Sequence, residues 1–312
     1  MDTPATDRPS ALPSKSTVIV AVAAVAVALG LLALTVHRLK HGGAVDGDGE
    51  TTVAPPETVA VAPRSLAYRA AGEYLKGTTS VDAPLMHVSF DGPLHIMRFQ
   101  VSVADYTRCV DAGVCLPQDP RNVSSASVPV TGVSFEDAQR YASWLSEKTG
   151  QVWRLPTDEE WVLAAGSKFD DDALGIGDDV SNPSKRWLAQ YQREAARDAE
   201  DDGEPKPPGF YGKNEYGLWD LSGNVWEWTS SCFVRATVSR VGSVDKVVTT
   251  NCGVRVVEGR HRTYMTDFVR DAKSGGCAVG TPPDNLGFRL VRQHERGLFK
   301  SVHLIGVLSK NP

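Results

Sequence analysis

The spacing of hydrophobic and polar positions changes several times along the chain, and each change predicts a secondary-structure element. Apolar and polar residues alternate around Val88 and over residues 96–101, which is typical of strands. A helical spacing replaces the alternation over residues 103–112 and returns over residues 135–149. This part of the sequence therefore predicts two strands followed by two helices.

Capping signals indicate where two of the helices begin. Ser134 precedes the helix of residues 135–149, Asp137 completes a capping box, and Gly150 follows the last turn. Beyond the strand-like stretch VWRLP, Thr157 and Glu160 form another capping box. Apolar residues follow this box at helical spacing, so we expect a further helix there.

A third helical pattern follows Asn182, which resembles an N-cap with proline at the first helical position. Its apolar residues recur at helical spacing and predict an inner stripe, formed by Trp187, Leu188, Tyr191 and Ala195. The acidic, proline-rich stretch DAEDDGEPKPPG ends this helix. We expect the stripe to pack against the rest of the domain.

After Gly217 the sequence changes to short apolar stretches separated by Gly, Asn and Pro. These stretches are NVWEWT, VRVVEG, RTYMTDFV and GFRLV. Their length and composition favour strands, so we expect an antiparallel sheet late in the chain. Early helices and late strands indicate an α+β fold.

The N-terminal region contains an uncharged apolar run over residues 16–36. At about 1.5 Å per residue this run crosses a hydrocarbon core of roughly 30 Å, so it predicts an uncleaved transmembrane helix. A cleaved signal peptide is the alternative, although its apolar part is normally shorter and ends in a small-x-small site. Arg8 and Lys15 on one side balance Arg38 and Lys40 on the other, so the flanking charges leave the orientation open.

The remaining segments follow from composition. Residues 1–15 form a short tail, and residues 37–64, rich in Gly, Pro, Thr and acid, are typical of a flexible linker. We place one folded domain at residues 65–293 and a C-terminal extension at residues 294–312.

Charge and cysteine content restrict the partners and the compartment. The 312 residues include 33 basic and 38 acidic ones, with no Lys/Arg block that would follow phosphates, so we expect no nucleic-acid partner. The five cysteines include a close C-x5-C pair and no zinc-like C-x2-C pair. This favours an oxidising compartment, and buried free thiols in a cytoplasmic domain are the alternative.

Glu227 is a candidate functional residue because a strand would set it among bulky apolar groups. In a strand over residues 224–229, Trp226 and Trp228 share one face and Glu227 lies on the other. A buried carboxylate is costly unless it is paired. The sequence leaves two partners open, an arginine such as Arg289 or a Ca²⁺ ion.

Three ordered segments carry a resemblance to a known family. They are VPVTGVSFEDAQRYASWLSEKTGQVWRLPTDEEWVLAAG, NEYGLWDLSGNVWEWTS and NLGFRLV. The match spans about residues 85–292 and resembles the formylglycine-generating enzyme (sulfatase-modifying factor) family. The resemblance implies a C-type-lectin-like α+β fold, with irregular loops around a small sheet.

Oxidase members of this family hold copper with two cysteines and convert a substrate cysteine to formylglycine. The corresponding cysteines would fall near residues 262–269 of this chain, where there are none. His261 and Met265 are poor replacements for a close pair of thiolates. We therefore expect neither copper nor this oxidase activity.

The resemblance also implies one calcium site, because the chain matches the family's SGNVWE segment. The ligands would be three backbone carbonyls, one carboxylate and a helping side-chain amide, from Ser222, Gly223, Val225, Glu227 and Asn224. A second calcium loop of the family is replaced here by SKRWLAQYQREAARDA, which puts a second site in doubt.

Two disulfides are predicted, Cys109–Cys115 and Cys232–Cys252. The first would close a small loop at the end of a helix, and the second brackets the insertion FVRATVSRVGSVDKVVTTN. Cys277 then stays free in a Gly-rich loop. The sequence leaves two roles open for it, as a reactive thiol or as a disulfide partner. Cys252–Cys277 is the competing pairing.

Two functions are compatible with these observations. In the first, the protein is a membrane-anchored accessory or maturation factor on the periplasmic side of a bacterial inner membrane, and it binds a protein or peptide partner. The resemblance points to the bacterial branch found with periplasmic redox enzymes, including the NirV-type proteins associated with copper nitrite reductase. In the second, it is a periplasmic enzyme that modifies a small molecule or protein by chemistry other than formylglycine formation.

The second function requires polar side chains that converge in a groove. The candidates are His261, Tyr264, Asp267, Arg270 and Cys277. On an ideal strand, however, Tyr264 faces away from His261 and Asp267. Ordinary strand polarity is therefore the alternative explanation for this pattern.

Overall fold

A computed structural model describes residues 53–118, 125–170, 173–175, 183–198, 203–239, 243–272 and 285–293. The chain divides into two units, Met1–Thr51 and Thr52–Pro312, and the described residues belong to the second. The predicted tail, membrane helix and C-terminal extension, as well as Asn182 and Cys277, lie outside the described residues. Within the described part, no helix is long and apolar enough to cross a membrane.

Four α-helices lie within the described residues. They are α1 (Val103–Asp111), α2 (Phe135–Thr149), α3 (Asp158–Ala165) and α4 (Pro183–Asp198). The first three begin at capping boxes whose N-caps are Ser102, Ser134 and Thr157. Gly150 ends α2 in the left-handed conformation, with φ 65°. The predicted bounds of α2 and the start of α3 are confirmed, because capping depends on residues close in sequence.

The described strands form three sheets. In chain order they are β1 (Thr58–Val61), β2 (Ser65–Arg69), β3 (Glu73–Lys76), β4 (Thr79–Val81), β5 (Leu85–Ser89), β6 (Leu94–Met97), β7 (Val152–Arg154), β8 (Trp226–Val238), β9 (Val244–Glu258), β10 (Thr263–Thr266), β11 (Leu286–Gly287) and β12 (Val291–Gln293). One sheet has the order β1-β6-β12-β7, and a larger one has the order β10-β9-β8-β3-β4, with β11 also paired to β8. Strands β2 and β5 form a separate pair.

Strand β1 corrects the predicted linker. The prediction of a flexible segment over residues 37–64 is wrong at its C-terminal end, because Thr58–Val61 pairs antiparallel with β6. Val61 is 1% exposed and packs in a hydrophobic cluster with Ile96. The folded domain therefore begins before residue 65. Strand β1 has only four residues, which is too short a run for alternation to identify a strand.

The larger sheet is antiparallel only in part. Strands β8, β9 and β10 pair antiparallel, as predicted for the late strands. Strand β3 comes from the N-terminal part of the domain and pairs parallel with β8, and β11 also pairs parallel with β8. The prediction of a sheet built late in the chain therefore missed its early member.

Strand β8 separates its aromatic residues from its carboxylate, as the alternation predicts. Trp226 and Trp228 belong to a hydrophobic cluster that includes Phe135 of α2. The Trp228 indole N–H donates a 2.9 Å hydrogen bond to the Val133 carbonyl. Glu227 contacts Trp161 of α3, a member of a second cluster. The strand thus lies between two cores.

Helix α4 turns its apolar stripe to solvent. The exposed fractions are 67% for Trp187, 48% for Leu188 and 58% for Tyr191, and Ala195 is also exposed. The prediction of an inner stripe is wrong, because helical periodicity identifies an apolar face but not what covers it.

The arginines of α4 hold this helix in place. Arg186 pairs with Asp82 at 2.7 Å, and Arg193 pairs with Asp170 at 2.9 Å. Arg193 also donates a 2.9 Å hydrogen bond to the Ala173 carbonyl. These contacts attach α4 to the domain through its charged side chains, while Trp187 and Tyr191 face outward.

Candidate functional site

Glu227 and Arg289 form a buried ion pair at the centre of the domain. Their side chains are 1% and 0% exposed, and two 2.7 Å contacts join them, Nε to Oε2 and Nη2 to Oε1. Gln100 donates a 2.8 Å hydrogen bond to Oε1, and the Trp161 indole donates one of 2.8 Å to Oε2. Of the two partners left open by the sequence, the structure has the arginine.

Arg289 is fully hydrogen-bonded. Besides the two contacts to Glu227, Nη2 donates to the Trp219 carbonyl, and Nη1 donates to the carbonyls of Met97 and Arg98. Guanidinium has five N–H donors, so every donor has an acceptor. Such complete pairing offsets the cost of removing both charges from water. We call Glu227, Arg289, Gln100 and Trp161 the ionic centre.

The predicted calcium ligands do not fit a cation in this arrangement. Both oxygens of Glu227 face N–H donors. The Gly223 carbonyl accepts hydrogen bonds from the Val225 amide at 2.9 Å and from the Gln100 side chain at 3.4 Å. A Ca²⁺ ion needs six to eight oxygen ligands and would also meet the positive charge of Arg289. Calcium binding stays a prediction from the sequence.

The turn before β8 has a different role, because its side chains hold a neighbouring loop. Asp220, Ser222 and Asn224 are in the left-handed conformation, with φ of 59°, 58° and 66°. The Asp220 carboxylate accepts backbone N–H bonds from Gly209 at 2.6 Å and Tyr211 at 2.9 Å. The Asn224 amide bonds both backbone groups of Lys206, at 2.8 and 2.9 Å. This turn therefore fixes the loop of residues 206–211.

A second buried ionic group lies next to the first. Glu258 of β9 is directly opposite Glu227 in the β8–β9 ladder. Arg262 bonds Glu258 at 2.6 Å and Asp158 at 3.3 Å, and its third contact is the Arg69 carbonyl at 2.8 Å. Two carboxylates share one guanidinium, so this group is less completely neutralised than the ionic centre.

Glu159 extends this group towards Tyr68. Burial, and secondly the charge of Asp158, raise the pKa of Glu159 above its usual range. Burial also raises the pKa of Tyr68, reinforced by Asp158 and Glu159. Among the described residues, the Oδ1 atom of Asp158 is buried without a hydrogen-bond partner. The excess of acid here favours the protonated form of Glu159.

The segment of residues 262–269, where the resemblance places a copper-binding cysteine pair, is occupied by other side chains. Arg262 belongs to the second ionic group, and Thr263 and Met265 are each 1% exposed. Phe268 is 70% exposed. In the described part of the chain, no group of three or more His, Cys, Asp or Glu side chains is placed to hold a metal ion.

The four described groove candidates each contact a different neighbour. The Tyr264 hydroxyl bonds the Gly72 amide at 2.6 Å, and His261 packs edge-on against Trp226. The Asp267 amide donates to the Gly253 carbonyl at 3.1 Å. Arg270 pairs with Asp137 at 2.7 Å. These contacts do not bring the four side chains together in one cluster, and Cys277 lies outside the described residues.

The pair formed by Asp137 and Arg270 ties the segment after β10 to the start of α2. Burial alone would raise the pKa of Asp137, but hydrogen bonds from Arg270 and from Ser134 lower it below the usual range. The Arg270 guanidinium also donates to the Pro117 carbonyl at 3.1 Å. Arg270 is therefore a structural link here, and not a free cation in a groove.

Both predicted disulfides are confirmed. Cys109–Cys115 is buried in the main hydrophobic cluster, and Cys232–Cys252 joins β8 to β9. The second bond excludes the competing pairing of Cys252 with Cys277. The disulfide at the end of α1 closes a short loop, as its spacing predicts.

Sequence reasoning missed several members of the two ionic groups. Gln100 and Asp158 show no local signal, because their partners are 127 and 104 residues away. Glu258 is only four residues from its partner Arg262, but the two lie across the end of β9, where no periodicity links them. Arg262 carried a weak signal, since a charged residue next to a strand-like stretch needs a partner if it is buried. Glu227 was identifiable from its position among tryptophans, and Arg289 was named as one of its two open partners.

Comparison with known proteins adds to this geometry. A family model described as the sulfatase-modifying factor enzyme 1-like domain matches residues 47–294. The inactive C-alpha-formylglycine-generating enzyme 2 of Bos taurus is 30% identical over 173 residues, which are 52% of this chain and 49% of that protein. The formylglycine-generating enzyme of Streptomyces coelicolor is 32% identical over 169 residues, covering 52% of this chain and 51% of that protein.

The chain therefore spans about half the length of these curated relatives. Among solved structures, PvdO from Pseudomonas aeruginosa superimposes with a TM-score of 0.50 at 20% identity, covering 77% of this chain and 95% of PvdO. At this level of identity the likeness concerns the fold alone.

Proposed function

Because the chain belongs to the sulfatase-modifying factor enzyme 1-like family, we propose that it is a member without formylglycine-forming chemistry that serves a partner protein. It is a membrane-anchored accessory or maturation factor in the bacterial periplasm, and the partner is a redox enzyme, as for the NirV-type branch. The anchor is the apolar run of residues 16–36.

The loss of oxidase chemistry is supported by the side chains of residues 262–269. The resemblance requires a close pair of thiolates for copper(I), whereas this segment has no cysteine and contributes a buried guanidinium, Arg262, and a single buried thioether, Met265. Arg262 also holds Glu258 and Asp158, so the segment has a structural task. A relative named as inactive, at 30% identity, is in line with such a loss.

The observation that carries the partner-binding function is the outward apolar face of α4. Trp187 and Tyr191 stack with ring centroids 5.7 Å apart, and Leu188 lies beside them. Tryptophan and tyrosine are the residue types that dominate binding energy at protein interfaces. Contiguous exposed apolar groups mark interaction sites more often than chance.

A protein fits this face better than a lipid surface does. Helices that bind lipid headgroups carry free basic residues beside their apolar face. In α4, Arg186 and Arg193 are already neutralised by Asp82 and Asp170. Their pairing also fixes the helix, which lowers the entropic cost of binding a partner.

The periplasmic location is supported by the two disulfides. Disulfides form and persist in oxidising compartments, which in bacteria means outside the cytoplasm. The proposed topology puts the folded domain on the outer side of the membrane, an orientation that the flanking charges leave open.

Site-specific photo-crosslinking tests this function. A benzoylphenylalanine residue is placed at position 187 of the full chain in its native host, and a matched control is placed at the exposed Glu136 on α2. We expect one heterologous protein to crosslink from position 187 and not from position 136. The same protein should lose its co-purification with the Trp187→Ser/Tyr191→Ser variant, which should keep the parent circular dichroism spectrum because both side chains are exposed.

Two outcomes would count against the proposal. Crosslinks from position 187 to lipid alone would make α4 a membrane-surface helix. Crosslinks only between two copies of this chain would make the face a homodimer interface. Either result rejects a partner protein at this face.

A further inference from the structure

The Cys232–Cys252 disulfide differs in its surroundings from Cys109–Cys115. Cys109 and Cys115 are 0% and 5% exposed, within the main cluster. Cys252 is exposed and Cys232 is half-buried. An attacking thiolate can therefore reach the Cys252 sulfur, whereas the other disulfide is shielded.

The disulfide lies where the β8–β9 ladder is interrupted. Cys232 is in register with Arg255, but the next residue, Phe233, is in register with Asn251. Residues 252–254 therefore bulge from β9. Beyond the bulge the ladder resumes and holds the two strands together without the covalent bond.

The positive charge of Arg255 lies beside the sulfur of Cys232, the less exposed cysteine of this disulfide. Its Nη1 is 3.4 Å from the Cys232 sulfur and donates to the Ser230 carbonyl at 2.8 Å. Its guanidinium lies 4.1 Å from the centre of the Phe135 ring. Among the described residues, its buried Nε atom has no hydrogen-bond partner.

The charge of Arg255 is only weakly compensated. Burial lowers the pKa of Arg255, and the nearby charge of Asp267 raises it in part. Within the described part of the chain, the hydrogen bonds of Arg255 go to a carbonyl and a sulfur. A half-buried cation without a directly bonded carboxylate gains most when an anion forms beside it. Reduction of the disulfide would create that anion as a Cys232 thiolate.

We infer that Cys232–Cys252 is a thiol–disulfide exchange site, with Cys252 as the attacked sulfur and Cys232 as the leaving thiolate. Its substrate class is an accessible dithiol in a protein or peptide. This inference stands independently of the proposed partner at α4.

The exchange takes two balanced steps. A substrate thiolate attacks the Cys252 sulfur and forms a mixed disulfide, and the Cys232–Cys252 bond breaks with its electron pair on Cys232, beside Arg255. The second substrate thiolate then attacks the substrate sulfur of the mixed disulfide and releases Cys252, which takes up a proton. One dithiol is oxidised to a disulfide, and one protein disulfide is reduced, by two electrons.

Thiol trapping of the purified full chain tests the inference. The protein is equilibrated in dithiothreitol buffers of graded reducing power, alkylated, and analysed by mass spectrometry. We expect Cys232–Cys252 to be reduced first, while Cys109–Cys115 stays oxidised. Reduced Cys232 should also react with iodoacetamide at a lower pH than an ordinary cysteine does.

Substitution of Arg255 separates charge from packing. At a pH above the ordinary cysteine pKa of about 8.5, where reduced Cys232 is a thiolate in both proteins, Arg255→Met should lower the equilibrium constant for reduction of Cys232–Cys252 about tenfold, since one pKa unit of thiolate stabilisation corresponds to that factor. Arg255→Lys keeps a positive charge and should retain most of the effect. Arg235, whose guanidinium pairs with Glu73, lies on β8, the strand of Cys232, and Arg235→Met should have no effect.

Three results would overturn the inference. They are equal resistance of both disulfides to reduction, an ordinary pH profile for Cys232, or an Arg255→Met variant that behaves like Arg235→Met. Each measurement reports directly on the redox state or the reactivity of the thiols. A misfolded variant would show itself by reduction of the buried Cys109–Cys115 disulfide as well.

Discussion

Buried charges in this domain are held by complete hydrogen bonding. Glu227 accepts four N–H donors, and Arg289 donates through all five of its own. A buried ion pair of this kind contributes little more to the stability of the fold than apolar residues of equal size would. Removing one partner is costly, however, because the other charge stays buried without compensation.

Glu227→Gln should therefore lower the free energy of unfolding by about 3–5 kcal/mol. The substitution keeps the shape of the side chain but leaves the Arg289 charge unpaired. Urea unfolding followed by tryptophan fluorescence measures the change. The matched control is Glu73→Gln, which breaks an exposed pair with Arg235 and should cost at most about 1 kcal/mol. Similar losses for both variants would contradict this account of the ionic centre.

Glu159 makes the domain less stable as pH rises. Its folded pKa lies above the unfolded value of 4.5, so the folded state binds the proton more tightly. Stability should fall as pH rises from 4.5 through the folded pKa, and the full penalty applies above it. Glu159→Gln should flatten this fall and make the domain more stable at pH 7 than the parent chain.

Urea midpoints between pH 4 and pH 8 check this prediction. Asp137 does not interfere with this measurement, because hydrogen bonds from Arg270 and Ser134 lower its pKa below the usual value of 3.8. A pH dependence that is unchanged in Glu159→Gln would show that another group titrates in this window.

The sequence predicts those properties of single residues that depend on their neighbours in the chain. The strand position of Glu227 among tryptophans indicated a buried carboxylate, and the cysteine spacings indicated both disulfides. The choice between Arg289 and calcium stayed open, because the partner is 62 residues away and only the folded chain brings it close.

Among the elements, the turn of residues 220–224 shows how local strain can hold a distant loop. Asn224 adopts φ 66° and bonds Lys206 through both ends of its amide. A left-handed conformation costs a non-glycine residue about 1–2 kcal/mol. The two hydrogen bonds, each about 1 kcal/mol, offset that cost.

Two substitutions at position 224 separate these contributions. Asn224→Gly removes both hydrogen bonds, but glycine adopts the left-handed conformation without strain. This variant should lower the free energy of unfolding by about 2 kcal/mol. Asn224→Ala adds the backbone strain and should cost about 1 kcal/mol more. Denaturant unfolding measures both. Equal losses would mean that the backbone conformation relaxes in the variants.

The elements were predictable where their signals are local. Capping boxes gave the starts of α2 and α3, since an N-cap and its partner are three residues apart. The outward face of α4 was not predictable, because the ion pairs of Arg186 and Arg193 with distant aspartates decide its orientation. Strand β1 was missed for a related reason, as its partner β6 is far along the chain.

For the whole molecule, sheet order depends on contacts between remote segments. Strands β1 and β12, from opposite ends of the described domain, both pair with β6. Strand β3 reaches β8 in parallel across most of the domain. Periodicity predicts strands but not their neighbours, so the α+β class followed from the sequence, and the detailed topology did not. The family resemblance supplied the fold that the periodicity could not.

Calcium dependence is a property of the whole domain, because a bound ion stabilises only the folded state. With Glu227 held by Arg289, we expect the same melting temperature with about 10 mM CaCl₂ as with a chelator, a concentration about tenfold above the weakest dissociation constants of extracellular calcium modules. Differential scanning calorimetry of the full chain measures it. A melting temperature several degrees higher with calcium would restore the site predicted at Ser222, Gly223, Asn224, Val225 and Glu227.

The central claim is that this family member has lost formylglycine-forming chemistry at residues 262–269. The direct measurement incubates the copper(I)-loaded full chain with a CxPxR peptide under air and detects aldehyde by mass spectrometry. The formylglycine-generating enzyme of Streptomyces coelicolor serves as the positive control. We predict no aldehyde from this chain under conditions in which the control converts the peptide, and formation of formylglycine above background would contradict the account.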